Sequence, residues 1–392
     1  MQIAVIGKTN TGKTTFFSAA TLVDAEISNR IFTTIKPNVG IGYVRAECPC
    51  KKLGVKCNPN NSRCVDGLRL IPVRMIDVAG LVPGAHKGKG LGNQFLSDIM
   101  EAQALIHVVD ISGGTDAEGN PVQPGTHNPM EDVLFLEKEI DYWILGILKK
   151  KWHDICRKSE AGQEKLDDLI HKQLSGLGIG LEDVKHALRE VHVKEDSGDE
   201  DMLNFVEILR KKSKPIIIAA NKIDVPGSEK NMNEFRETDF LSVPCSAESE
   251  LALRKAEKEG DIKYTPGKNV FEVVREDLEE RKKNALEFIK THVLERFGST
   301  GVQQVIDKTV YDLLGMIVVY PVANIGKLTD KKGNVLPDAF LVPKGTTLKE
   351  FAAKVHTEIA ENFLGGLDLE RKKIGADHEL KNGDVVEILV RK

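Results

Sequence analysis

The first fifteen residues constrain this chain more than any other stretch. An apolar run, Ile3 to Ile6, leads directly into Gly7-Lys8-Thr9-Asn10-Thr11-Gly12-Lys13-Thr14, and helix-forming residues follow from Thr15 through Ala20. Strand, glycine loop and helix in that order form the context that phosphate recognition requires. Glycines let successive backbone N–H groups converge on phosphate oxygens, and the helix N-terminus adds its dipole. In such a loop, residues from Gly7 to Thr15 cradle the phosphates. Lys13 reaches the β- and γ-phosphates, and the Thr14 hydroxyl ligates Mg²⁺. A loop of this kind also predicts a parallel α/β sheet that binds ligands at its strand carboxyl ends.

Four later apolar runs read as strands of that sheet: Val73–Ile76, Ala104–Val109, Ile216–Ala220 and Leu241–Pro244. Three of them end in residues with nucleotide chemistry. Asp77-Val-Ala-Gly80 puts a carboxylate where it can hold Mg²⁺ through water, and the Gly80 amide can meet a γ-phosphate. Asn221-Lys222-Ile223-Asp224 offers a carboxylate, Asp224, that accepts both the N1–H and the exocyclic amine of guanine; adenine has no matching donor pair. Ser246-Ala247 can present backbone amides to the guanine O6. Each tetrapeptide is weak alone, but four motifs in order leave chance little room.

The apolar period changes between residues 131 and 212. Leu136, Ile140, Trp143 and Ile147 recur at helical spacing, as do Leu203, Val206 and Leu209. The chain therefore divides into a nucleotide domain over 1–130, a helical insertion over 131–212, the domain's second part over 213–304, and a small α+β module over 305–392. A helix is expected over Val270–Phe297, and Thr347 with Glu350 predicts a capping box. The 41% hydrophobic content can fill several cores, and a net charge of −4 argues against a generally basic nucleic-acid binder. No apolar run reaches the ~18 residues a membrane span needs. The N-terminus has no basic leader, so a cytoplasmic location without membrane partners is expected.

Cysteines in that compartment more often signal thiols or a metal than disulfides. Cys48, Cys50, Cys57 and Cys64 crowd a polar segment and can close a tetrahedral Zn²⁺ site. Their spacing is not the usual paired Cys-x-x-Cys, so two disulfides or four reduced thiols stay open. Cys156 and Cys245 read as packing residues, His107 as a satisfied core histidine, and Lys149–Lys151 as a solvated helix face. His86 is the one histidine in a glycine-rich segment.

With these motifs the sequence resembles the translation-factor class of P-loop GTPases, and within it the Obg group. Gly84-Ala-His-Lys-Gly-Lys-Gly-Leu-Gly-Asn-Gln-Phe95 is similar to that group's switch II, and Phe32-Thr-Thr-Ile-Lys-Pro-Asn-Val-Gly40 to its switch I. The helical insertion and a C-terminal module resembling a β-grasp TGS domain match the YchF, or Obg-like ATPase, branch. That branch typically carries Glu at the position of Asp224 and uses ATP; Asp224 here argues for GTP. The resemblance implies a doubly wound P-loop fold that hydrolyses GTP to GDP with Mg²⁺ as a conformational switch. It further implies a ribosomal or RNA partner, about which the local composition is neutral. In this class a switch I threonine ligates Mg²⁺, and Thr34 is favoured over its neighbour Thr33. Leu81 stands where Ras-like enzymes place a water-orienting glutamine, so hydrolysis is slow or another group positions the water; Leu81 as a plain core residue is the alternative. Several related GTPases use an asparagine at the position of Asn10 to ligate K⁺, against the simpler reading that Asn10 holds the loop's shape. A competing function is a nucleotide-dependent ribosome or RNA adaptor whose turnover is incidental or ATP-directed.

Overall fold

The computed structural model describes residues 1–21, 38–78, 80 and 99–391. The expected switch residues Thr33, Thr34 and Leu81, and His86, lie outside them. Two compact units emerge. One gathers the N-terminal strand and helix with Arg74–Val305, and the other gathers Ile41–Val73 with Ile306–Lys392.

The strands in chain order are β1 (Gln2–Ile6), β2 (Val39–Glu47), β3 (Arg63–Val65), β4 (Leu68–Asp77), β5 (Ala104–Asp110), β6 (Ile216–Asn221) and β7 (Ser242–Pro244). They run in the order β2-β4-β1-β5-β6-β7, with β3 beside β4. Strands β4, β1, β5, β6 and β7 pair in parallel: Gln2 faces Arg74, Ile3 faces Ala104, Leu105 faces Ile216 and Ile218 faces Ser242. Every residue of β1 and β5 is buried. That is why these strands read as unbroken apolar runs and do not alternate. The order reverses at β1, so the carboxyl ends of β1, β4 and β5 open on the switch point of the sheet.

The helical segment lies between β5 and β6 of the sheet. Helices at Pro129–Lys149, Trp152–Glu160, Leu166–Leu174, Leu181–Glu190 and Asp199–Ser213 belong to the same compact unit as the sheet. Leu136, Ile140, Trp152 and Leu209 share one core with Ala4, Ile6 and Leu105. Asn128 starts the first helix by accepting from the Met130 amide, and Pro129 fits the first turn.

The helix expected over Val270–Phe297 begins only at Glu280. Phe271–Val273 instead forms β9, antiparallel to β8 (Ile262–Tyr264), with Ile262 facing Val273. Cross-strand pairing of β-branched and aromatic side chains outweighs helical spacing there.

In the second unit, β10 (Met316–Val322), β11 (Phe340–Pro343), β12 (Phe363–Leu367), β13 (Lys373–Ile374) and β14 (Val385–Val390) form a sheet in the order β11-β10-β14-β12-β13. The helix Leu348–Val355 packs Leu348 and Phe351 against Val319, Val342 and Val386. Its capping box joins Thr347 and Glu350. The hairpin over Ile41–Val73 belongs with this unit, whereas the sequence assigned it to the first part of the nucleotide domain.

Candidate functional site

The glycine loop is shaped by close backbone approaches. Gly7 has φ +148, and a Cβ there would lie 2.5 Å from the Val108 carbonyl oxygen. Gly12 has φ +87, and its Cβ would lie 2.3 Å from Asn221 Nδ2. Both positions need glycine for conformation and for space. Asn10, at φ 60, occupies the left-handed region that asparagine tolerates, and its side-chain amide donates to the Gly119 carbonyl at 2.8 Å. Thr11 Oγ1 donates to the Lys8 carbonyl. Thr15 lies in the first turn of the helix Lys13–Thr21.

Asn221, at the end of β6, ties the site together. Its Nδ2 donates to the Thr11 carbonyl and its Oδ1 accepts from the Ala247 amide, both at 2.9 Å. Lys222 adopts φ 62, a strained conformation for a side chain with a Cβ. Its ammonium donates to the Asn10 carbonyl at 2.9 Å and to Asp110 Oδ2 at 2.7 Å. Burial works against the Asp110 charge. The Lys222 ammonium and the hydroxyls of Ser112 and Thr115 outweigh it and hold the carboxyl below its ordinary range. Asp224 follows, half-buried, on the same turn.

Lys13 Nζ donates to Asp77 Oδ1 at 2.7 Å, and Thr14 Oγ1 to Asp77 Oδ2 at 3.0 Å. A hydroxyl and a carboxylate brought together beside a phosphate loop are hard oxygen donors of the kind Mg²⁺ takes. The residues present therefore fit that ion. Gly80 sits against the loop: a Cβ there would lie 3.2 Å from Thr9 Oγ1.

Two expectations need correction. The Lys8 side chain turns away from the phosphate path and is buried. It donates to the Thr115 and Asp116 carbonyls and pairs with Asp132 at 2.8 Å, which also meets His127, so only the Lys8 backbone stays in the loop. The amides of Ser246 and Ala247 are also engaged. Ser246 N–H donates to the Thr300 carbonyl at 2.9 Å and Ala247 N–H to Asn221, while Ser246 Oγ caps the helix Ala247–Lys258. A base oxygen would have to share the Ala247 donor.

The sequence reading missed the segment between Asp110 and Asn128. It folds over the phosphate loop, meeting Lys8 through Thr115 and Asp116 and meeting Asn10 through Gly119, whose own Cβ would lie 2.9 Å from Thr9 Cβ. Its Gly-Gly-Thr-Asp composition looks like an ordinary turn, and only the long-range bonds reveal it as a cover. His107 is buried as expected, but among the described residues its Nδ1 has no hydrogen-bond partner.

The four cysteines of the hairpin converge, with all Sγ atoms within 4.8 Å of one another. Cys48 lies 4.0 Å from Cys57, and Cys50 lies 3.8 Å from Cys64. Burial pushes the Cys64 thiol up to about 11 and Cys50 higher still. Cys156 and Cys245 are buried apart from this group.

A sheet with this switch point, glycine loop and Asn-Lys-x-Asp brace defines a P-loop nucleotide-binding protein, and comparison with known proteins narrows the class. Residues 2–145 match the model of the 50S ribosome-binding GTPases, residues 219–324 that of the G4 motif-containing domain of YGR210-like Obg-like GTPases, and residues 328–390 that of the TGS domain. An uncharacterized GTP-binding protein of Methanocaldococcus jannaschii is 51% identical over 99% of this chain and 98% of that protein. The ribosome-binding ATPase YchF of Bacillus subtilis is 28% identical over 97% of each. A crystal structure of a GTP-binding protein from Pyrococcus horikoshii superposes with a TM-score of 0.81 at 40% identity, covering 100% of both chains. The chain belongs to the Obg-like GTPase family, with a C-terminal TGS domain. No helix among the described residues is long and apolar enough to cross a membrane.

Proposed function

We propose that this protein binds GTP with Mg²⁺ and hydrolyses it to GDP, and that the nucleotide state sets its affinity for a ribosomal or RNA partner in the cytoplasm. The observation that carries this reading is the Asn221 brace. One side chain links the phosphate loop to the helix after β7 and holds the turn that bears Asp224. Lys13 and the loop amides bind the phosphates, while Thr14, with Asp77 through water, holds Mg²⁺. That ion, when bound, neutralises phosphate charge. Gly80 offers its amide to the γ-phosphate, and Thr34 completes the ion's shell. Asp224 selects guanine over adenine by accepting from two donors that adenine lacks. Leu81 cannot hydrogen-bond to water, so intrinsic turnover is slow. The names of the ribosome-binding relatives and the TGS match support the partner class.

Calorimetry with GTP, GDP and ATP tests the base assignment. Guanine nucleotides should bind far more tightly, because a site built on hydrogen bonds leaves buried groups unpaired with the wrong base. Asp224→Asn should shift preference toward xanthine nucleotides. Equal affinities would favour the second reading, an ATP-directed or incidental turnover in a ribosome adaptor, which the ATPase name of the Bacillus relative supports. Two finer cofactor readings remain: Asn10 as a K⁺ ligand, and the four cysteines as a Zn²⁺ site. Two disulfides, Cys48–Cys57 and Cys50–Cys64, are the rival to zinc, although the Sγ pairs stand 4.0 and 3.8 Å apart and would have to close to about 2.05 Å.

A further inference from the structure

A buried charge beside the cysteines separates those alternatives. Arg69 on β4 is 0% exposed and lies directly opposite Cys64 in the β3–β4 ladder. One guanidinium nitrogen donates to Ser62 Oγ at 3.1 Å and another to the Leu336 carbonyl at 2.8 Å, and the group lies 5.3 Å from the centre of the Tyr320 ring. Among the described residues its Nε has no acceptor and no carboxylate pairs with it. An unpaired guanidinium in a protein interior is strongly unfavourable. Four thiols are neutral, and so are two disulfides, so either state leaves that charge only the field of the half-buried Asp338 carboxylate, which forms no ion pair with it. Four thiolates around one divalent ion carry a net negative charge at the right place.

We propose that Cys48, Cys50, Cys57 and Cys64 hold one Zn²⁺ in a tetrahedral thiolate site, that Arg69 is its buried counter-charge, and that the two together fasten the hairpin to the turn before β11. The proposal takes the metal alternative named above and extends it to a function in architecture, independent of guanine nucleotide binding. The chain between Cys57 and Cys64 is the fastening. Asn58 N–H donates to the Val335 carbonyl at 2.8 Å and Asn60 N–H to the Pro337 carbonyl at 2.7 Å. The Asn61 side chain both donates to and accepts from the Ala339 backbone. Polar residues such as these bury too little apolar surface to order themselves. Ligands at both ends supply the constraint, because metal binding free energy becomes folding free energy. Arg69 joins the two halves, bonding Leu336 while facing the thiolates.

The full chain, purified under a thiol reductant, should contain one zinc per molecule by elemental analysis. Replacement with Co²⁺ should give the ligand-field and thiolate-to-cobalt bands of a tetrahedral four-sulfur site. Stripping zinc with a chelator should speed hydrogen exchange over residues 57–64 and 335–339 and leave Gly7–Thr15 unchanged. Arg69→Met should weaken zinc retention by ~10–100-fold, as loss of an outer-shell partner does, and Arg69→Lys should recover part of it. A zinc-free chain with two intact disulfides, or with free thiols that take up no added zinc, overturns the site. Unaltered retention in Arg69→Met overturns the counter-charge, and unchanged exchange at 335–339 after stripping overturns the fastening. The stripping measurement uses the natural chain, so poor folding of a variant does not block it. No readout depends on nucleotide.

Discussion

Asn221 is 3% exposed and satisfies two backbone groups that nothing else among the described residues reaches. Asn221→Ala would strand the Thr11 carbonyl and the Ala247 amide in the interior. An orphaned buried group costs about 1–3 kcal/mol. At about 1–2 kcal/mol for each of the two groups, the loss is about 2–4 kcal/mol. At about 2–4 °C per kcal/mol, the melting midpoint of the nucleotide-free protein should fall by ~4–16 °C. Nucleotide affinity should fall at least about tenfold, since the loop and the guanine turn lose their common anchor. Asn221→Asp separates geometry from bonding. It keeps an acceptor for Ala247 but points an anionic oxygen at the Thr11 carbonyl, so it should not rescue either property. Circular-dichroism melts and titration with a fluorescent GDP analogue read both effects. A midpoint within about 1 °C of the natural protein, or full recovery in Asn221→Asp, would refute the reasoning.

Lys8→Met should lower stability by about 3–5 kcal/mol, because it leaves the Asp132 carboxylate buried without its lysine, and should weaken GTP binding much less than Lys13→Ala, which removes the phosphate-binding ammonium as well as the Asp77 pair; melts and nucleotide titrations of both variants check this contrast. Burial, with the Lys8 charge second, pushes His107 down to about 3 from 6.5, so the folded chain keeps it neutral. The unfolded chain takes up that proton first, so stability should be intact above pH 6.5 and decline as pH falls from there toward 3, with His107→Leu flattening the slope in urea titrations. If Asn10 ligates K⁺, hydrolysis should run faster in K⁺ than in Na⁺ at equal ionic strength, and Asn10→Ala should erase the difference; identical rates would leave its bond to Gly119 as its role.

The sheet was legible because β1, β5 and β6 are buried on both faces and so spell themselves as apolar runs. Lys13, Asp77 and Asn221 were legible because their chemistry is local: a glycine loop or a strand end fixes the partner. What escaped depends on long-range contact. Lys8 has the same composition signal as any loop lysine, and only the distant Asp132 turns it inward. Gly366 lies within β12, where a Cβ would meet the Glu387 carbonyl oxygen at 2.8 Å, a close approach between strands that no local pattern announces. The Asp110–Asn128 cover was invisible for the same reason, since its bonds reach back about a hundred residues.

The helices between β5 and β6 also bear on how such a protein can be dissected or could have grown. Two neighbouring parallel strands cannot be joined by a tight turn; they need a crossover that climbs over one face of the sheet. Here the whole helical segment is that crossover, and Leu136, Ile140 and Leu209 roof over Ile6 and Leu105. Cutting out residues 129–213 would therefore not release a detachable accessory. It would bare the sheet next to the phosphate loop and leave the two strands joined only by the helix-free segment that already folds over that loop. A minimal version must keep at least one covering helix, and the extra helices are best seen as growth on an indispensable connection, not as a graft.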